Sequence, residues 1–365
     1  MTGGDPNTPE LPKVLHGREL VELRCEIPGA KAYAQWHLPR QAWWSVLKRI
    51  YVMNDFHNLL LLAAGVAFFA FLAFVPFIAS IVLLYSLVGD PDTVAASMDL
   101  ARRFVPGEVM RIVERQLTQI IATSNSAKGF GLAIALAFSL YSATRAATAM
   151  MKALNIIYEE YETRSIVRTT LVSFGITFGM IGVAIIGLIA ISWFGYASIF
   201  LARYIGADIL LVVQITTWLV SGILVSGAFA LIYRLAPDRR AAKWRWLTAG
   251  SIVATLMWVA ISLGFGFYAA HITNYNATYG SLAAIVIFQM WLFLSAYAVL
   301  LGAEINSETE RQTMRDSTIG PDRPIGQRGA VMADNIALDE AKRALLAKRK
   351  RKEADRIARH ATRPA

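Results

Sequence analysis

The sequence predicts an all-α, polytopic membrane protein with six transmembrane helices and additional interfacial amphipathic helices. Three observations lead there. Only 17% of the 365 residues are charged, against about 25% in soluble domains. Leu282–Leu301 runs twenty residues without a charge, and twenty helical residues at about 1.5 Å each cross a bilayer core. Five further apolar runs are separated by polar or Gly- and Pro-bearing connections.

Residues 1–40, rich in Pro, Gly and charge, read as a flexible cytosolic arm. They contain no apolar signal-peptide core, so the first span is expected to serve as the insertion signal. The single Cys25 rules out an internal disulfide and a cysteine-rich zinc site. In residues 41–58, Trp43, Trp44, Leu47, Ile50 and Tyr51 follow helical spacing beside Lys48 and Arg49. That pattern suits an interfacial amphipathic helix in the headgroup plane, or a short helix packed on the ends of the spans.

The membrane domain is expected over 59–307, with spans at about 59–88, 129–151, 171–193, 209–233, 247–268 and 280–306. Pro76 interrupts the first span and is expected to kink it or act as a hinge. Between the first two spans, Met110, Val113, Leu117, Ile120 and Ile121 recur at helical spacing, which predicts an outer amphipathic hairpin. Gly175 and Gly179 have the small-xxx-small spacing that permits close helix packing. Lys and Arg concentrate after the second and fourth spans and are nearly absent after the third and fifth. The positive-inside rule then puts both termini in the cytoplasm.

Residues 308–365 read as a basic cytosolic tail. Fourteen of the 36 Lys and Arg lie there, including Lys348, Arg349, Lys350, Arg351 and Lys352. Such a run either holds anionic lipid or remains a solvated tail. Nucleic acid is not an expected partner.

A charge inside a span is costly and usually faces a partner or water. Arg145 is therefore the first candidate functional residue, unless it snorkels to the headgroups. Glu304, near the end of the last span, is the second. The expectation is a polar path in which Arg145 and Glu304 pair directly or through Gln289 and Asn155. No catalytic or metal-binding cluster is visible. The five His (16, 37, 57, 271, 360) form no close group with acidic residues, and no phosphate-binding GxxxxGK[ST] loop is present. No cofactor is expected.

Several short stretches carry a resemblance. Leu231 to Pro237, which includes Tyr233, is followed by Trp244, Trp246 and Trp258. Then come Tyr279-Gly280-Ser281-Leu282, Trp291 and Gly302-Ala303-Glu304-Ile305-Asn306. Earlier pieces are Phe68, Phe69 and Pro76, Ser142 to Arg145, and Leu154-Asn155. Over about residues 45–310 the chain resembles the YihY/BrkB (virulence factor BrkB) family of bacterial inner-membrane proteins, formerly labelled ribonuclease BN. The resemblance implies a six-span inner-membrane protein linked to serum resistance and, in some relatives, to export of lipopolysaccharide or other envelope lipids. It also implies that the ribonuclease label is misplaced, since the enzyme of that name is a soluble metal hydrolase of another fold. The expected function is transport or translocation of an envelope lipid or other amphiphile. The alternative is a non-transporting anchor or regulator of an envelope partner. Membrane lipids and envelope proteins are the expected partners, and homo-oligomerisation is left open.

Overall fold

The computed structural model describes residues 27–88, 125–205, 209–271 and 281–336. The expected amphipathic hairpin, Tyr279, Gly280 and the Lys348–Lys352 run lie outside these residues. The helices, in chain order, are α1 (Arg40–Phe56), α2 (Leu59–Val88), α3 (Asn125–Ile157), α4 (Ile166–Ile205), α5 (Ile209–Leu235), α6 (Thr248–His271), α7 (Ser281–Glu310) and the single turn α8 (Val331–Asp334). Among the described residues no strand forms; one isolated β-bridge joins Ala242 and Thr318. Helices α2 to α7 are each long and apolar enough to cross a membrane. The runs 59–88, 129–151, 171–193 and 209–233 lie within α2 to α5, while 247–268 and 280–306 begin one residue before α6 and α7. Their apolar side chains point outward: Ile185, Ile189, Trp193, Leu219, Ile223 and Leu263 are all more than half exposed. Helices apolar on all sides, with backbone polar groups satisfied internally, are built for hydrocarbon. The protein is an integral, multi-pass membrane protein.

Two compact units divide the chain. One comprises Ile50–Asp238 and Leu247–Asn306. In it α2 packs along α3 and α4 along α5, with further contacts between α3 and α4 and between α5 and α6. Aromatic rings join α2, α6 and α7. Phe288 lies 4.3 Å from Phe74 and 5.9 Å from Trp291 (centroid distances), and Trp291 meets Trp258 at 6.4 Å. The indole of Trp291 donates to Ser262 Oγ at 3.2 Å, so the half-buried N–H keeps a partner.

Polar side chains finish several helices. Asn58 (φ 53°) adopts the left-handed conformation that Asn tolerates, separating α1 from α2. Glu159 (φ 53°) does the same after α3, with the Glu160 amide reaching back to the Asn155 carbonyl at 2.8 Å in a Schellman-type cap. Pro76 sits within α2 and deprives the carbonyl four residues earlier of its donor. Nearby, the Ser139 hydroxyl of α3 donates to the Ala73 carbonyl at 3.3 Å.

The other unit comprises Met1–Arg49, Arg239–Trp246 and Ser307–Ala365. Its described part departs from the expected flexible arm and tail. Ile27, Ala30, Met314 and Ile336 form one apolar cluster; Ala32, Leu38, Ala42 and Trp246 form another. Gln35 is fully buried and donates to the Trp246 carbonyl and to Thr309 Oγ1, each at 2.8 Å. The Pro- and Gly-rich composition of residues 27–40 resembles disorder only locally. Partners more than 200 residues away satisfy its polar groups. The end of α7 is polar and buried here too: Arg49 pairs with Glu308 at 2.5 Å, and Arg239 grips both Glu310 oxygens at 2.8 Å.

Helix α1 has two apolar stripes. Ala42, Val46 and Ile50, four residues apart, are buried, while Trp44, Leu47 and Tyr51 are more than half exposed. The exposed stripe, with Lys48 Nζ 5.7 Å from the Trp44 ring, has the make-up of a surface for the bilayer interface.

Candidate functional site

The structure brings Glu304 to a partner the sequence did not suggest. Helix α7 carries the carboxylate inward, fully buried. The turn between α1 and α2 presents His57, whose Nδ1 lies 3.0 Å from Glu304 Oε2. The His57 side chain is 3% exposed, and its Nε2 is buried with no protein partner among the described residues. Seven residues before Glu304 on α7, Tyr297 donates its hydroxyl to Asn54 Oδ1 at 2.9 Å. Residues seven apart share a helix face, so a titratable pair and a hydroxyl–amide pair align where α7 meets the junction of α1 and α2. The buried pair can bind and release a proton or hold a polar group of a ligand.

Next to Glu304 the helices touch at glycine. A Cβ added to Gly250 of α6 would overlap the Gly302 carbonyl oxygen, and one added to Gly302 would lie 2.5 Å from both the Gly250 oxygen and Tyr233 Oη. Asn306 bridges the same crossing, accepting the Gly250 N–H at 2.9 Å and donating to the Leu247 carbonyl at 3.2 Å. Tyr233 donates to the Val299 carbonyl at 2.7 Å. Only glycine at both positions allows this approach, and it fixes the rotation of α7 that turns Glu304 inward.

The other candidate residues lie elsewhere. Arg145 is exposed and does not meet Glu304; its Nε donates to Tyr141 Oη at 3.1 Å and its guanidinium sits 5.0 Å from that ring. Tyr141 is one turn earlier on the same face, which keeps the charge outside the helix contacts. Asn155 is bound instead into a knot beyond the ends of α3 and α5. Its amide donates to Glu162 at 2.9 Å and accepts the Asp238 N–H at 2.8 Å. Arg164, 5% exposed, chelates Glu162 at 2.6 and 2.9 Å and donates to the Ala236 carbonyl, beside the buried Pro237. The Arg164 hydrogen bond holds the Glu162 carboxyl below its ordinary range despite partial burial. Burial pushes the Asp238 carboxyl up, but hydrogen bonds from the Thr163 hydroxyl and amide, together with Arg164, outweigh it and hold it low. Gln289 stays within α7, its Oε1 buried without a partner among the described residues.

Gly175 and Gly179 do not make the expected close packing: no atom lies within 4 Å of a Cβ at either. Both open into a groove between α4 and α5. Among the described residues no three His, Cys, Asp or Glu side chains converge.

The family model described as Virulence factor BrkB matches residues 51–325. The chain belongs to that family. YfkH of Bacillus subtilis, named ribonuclease-like, is 29% identical over 212 residues, which are 58% of this chain and 76% of that protein. A UPF0761 membrane protein of Nitrosospira multiformis is 34% identical over 187 residues, 50% of this chain and 42% of the relative. Another from Idiomarina loihiensis is 29% identical over 209 residues, 56% and 68% respectively. The chain thus spans less than half the length of the Nitrosospira protein. No solved structure matches it. The UPF0761 relatives carry no catalytic name. The matched region contains both members of the His57–Glu304 pair and both glycines of the α6–α7 crossing.

His57 is the residue sequence reasoning passed over. A titratable side chain at the very edge of an apolar span was the available signal, but its partner is 247 residues away.

Proposed function

We propose that this BrkB-family protein moves an amphiphile, an envelope lipid or a molecule like one, through the bacterial inner membrane, with both termini in the cytoplasm. The observation that carries the reading is the buried His57–Glu304 pair. Ionisable groups among spans are costly and tend to mark substrate or proton pathways rather than simple packing. The Tyr297–Asn54 pair and the buried Gln289 amide add polar atoms on the same helix. The basic connections after α3 and α5 support the cytoplasmic placement of that end.

The test is exchange of a fluorescent phospholipid between leaflets of proteoliposomes containing the purified, folded protein. Exchange faster than in empty liposomes is expected. Equal rates would replace the translocator reading with the alternative of an anchor for an envelope partner.

A further inference from the structure

The groove between α4 and α5 has a definite form. It has a volume of about 300 Å³ and is lined on α4 by Val172, Gly175, Gly179 and Val183 and on α5 by Ala228 and Leu235, among other apolar residues. The helices come close beyond the groove, where a Cβ at Gly187 would meet Leu224 Cδ2 at 3.7 Å. Two glycines with nothing within 4 Å of their Cβ positions deepen the space. Both walls belong to membrane spans, Ile166–Gly187 and Leu211–Leu235, so the groove faces hydrocarbon.

Its length and its end decide the occupant. From Val172 to Val183 α4 rises about 16 Å, close to the roughly 15 Å of one leaflet's hydrocarbon. One turn before Val172, and on the same face by its four-residue spacing, stands Arg168. It is exposed and lies two residues inside the start of its span, where a long basic side chain reaches the headgroups. Arg168 has no side-chain hydrogen bond or ion pair among the described residues. The neighbouring Arg164 does not share this freedom, because Glu162 and Asp238 hold it. Those two carboxylates are themselves committed to Arg164, Thr163 and Asn155. A cation unpaired among the described residues therefore heads an apolar slot one leaflet deep.

We infer that this groove is a binding site for one anionic phospholipid, with an acyl chain lying along Gly175 and Gly179 and the headgroup phosphate on Arg168. The site stands independently of transport: it holds a lipid whether or not that lipid is moved, and its failure would leave the translocator reading intact.

Native mass spectrometry of the full chain tests it. The protein is equilibrated with equal amounts of phosphatidylglycerol and phosphatidylethanolamine of identical chains, and retained lipids are counted. Wild type is expected to retain one phosphatidylglycerol in preference. Arg168→Gln should lower that preference about fivefold, the effect of losing one basic residue at the surface. Gly179→Leu should fill the groove and remove the retained lipid at unchanged melting temperature. Gly175→Leu, in equally open space, is the second test should the first variant fold poorly. Arg145→Gln, an exposed cation on α3, should leave retention unchanged. Equal retention of both lipids by wild type would overturn the headgroup assignment. Undiminished retention in folded Gly175→Leu or Gly179→Leu would overturn the site.

Discussion

Substituting Gly302 by alanine should damage the fold more than its one added methyl suggests. The new Cβ would stand 2.5 Å from the Gly250 oxygen and Tyr233 Oη, and 2.8 Å from Ala254 Cβ. Favourable contact between heavy atoms begins near 3.5 Å, so α7 must move by about 1 Å from three neighbours on two helices. Overpacking of this kind costs about 1–3 kcal/mol. The displaced Tyr233–Val299 hydrogen bond adds about 1 kcal/mol, while removing a helical glycine returns about 0.5–1 kcal/mol. A net loss of roughly 2 kcal/mol corresponds to a fall of roughly 4–8 °C in melting temperature for a domain of this size. Thermal melting of the purified protein in nanodiscs measures it. Gly175→Ala and Gly179→Ala, where a methyl meets nothing, should melt at or slightly above wild type. The reasoning is refuted if Gly302→Ala melts with wild type, or if Gly179→Ala falls as far.

Three further outcomes are expected. His57→Ala and Glu304→Gln should each destabilise the protein by about 1–3 kcal/mol by leaving a buried group without its partner. The double variant should lose less than the sum by about 1 kcal/mol, and additive losses in chemical denaturation would deny the contact. Glu162 and Asp238 are held below their unfolded values, so their stabilisation is full above about pH 4 and is lost as pH falls through the folded values. Arg164→Gln should therefore shrink the drop in melting temperature on acidification; an unchanged acid profile would contradict the knot. Arg145→Gln should change stability by no more than about 1 kcal/mol, since only an exposed cation–π contact and one hydrogen bond are lost.

The six spans were legible because length and absence of charge are local properties of each run, and Leu59–Val88 and Ile209–Leu235 begin where composition places them. The interior was not, because it depends on how each helix is rotated. Arg145 and Glu304 looked like a pair in the sequence, yet Arg145 follows Tyr141 outward while the Gly250–Gly302 crossing turns Glu304 towards His57. Gly175 and Gly179 have the spacing of a packing motif, but spacing does not say what faces it, and here it is open space. Asn155 was recognised as polar and interior, but one partner, Glu162, sits in the loop after its own helix and the other, Asp238, comes from the loop after α5, 83 residues away. The folded segment around Gln35 escaped notice because Trp246 and Thr309, which satisfy it, are remote in sequence.

One measurement bears most directly on whether the buried pair serves movement of an amphiphile. Leaflet exchange of labelled phospholipid is followed in proteoliposomes carrying wild type, Glu304→Gln or Arg145→Gln, each shown to be folded. Glu304→Gln is expected to slow protein-dependent exchange at least about tenfold, a loss of roughly 1.4 kcal/mol of barrier lowering, while Arg145→Gln stays near wild type. Wild-type rates in folded Glu304→Gln, or their loss in Arg145→Gln alone, would contradict a pathway through His57 and Glu304.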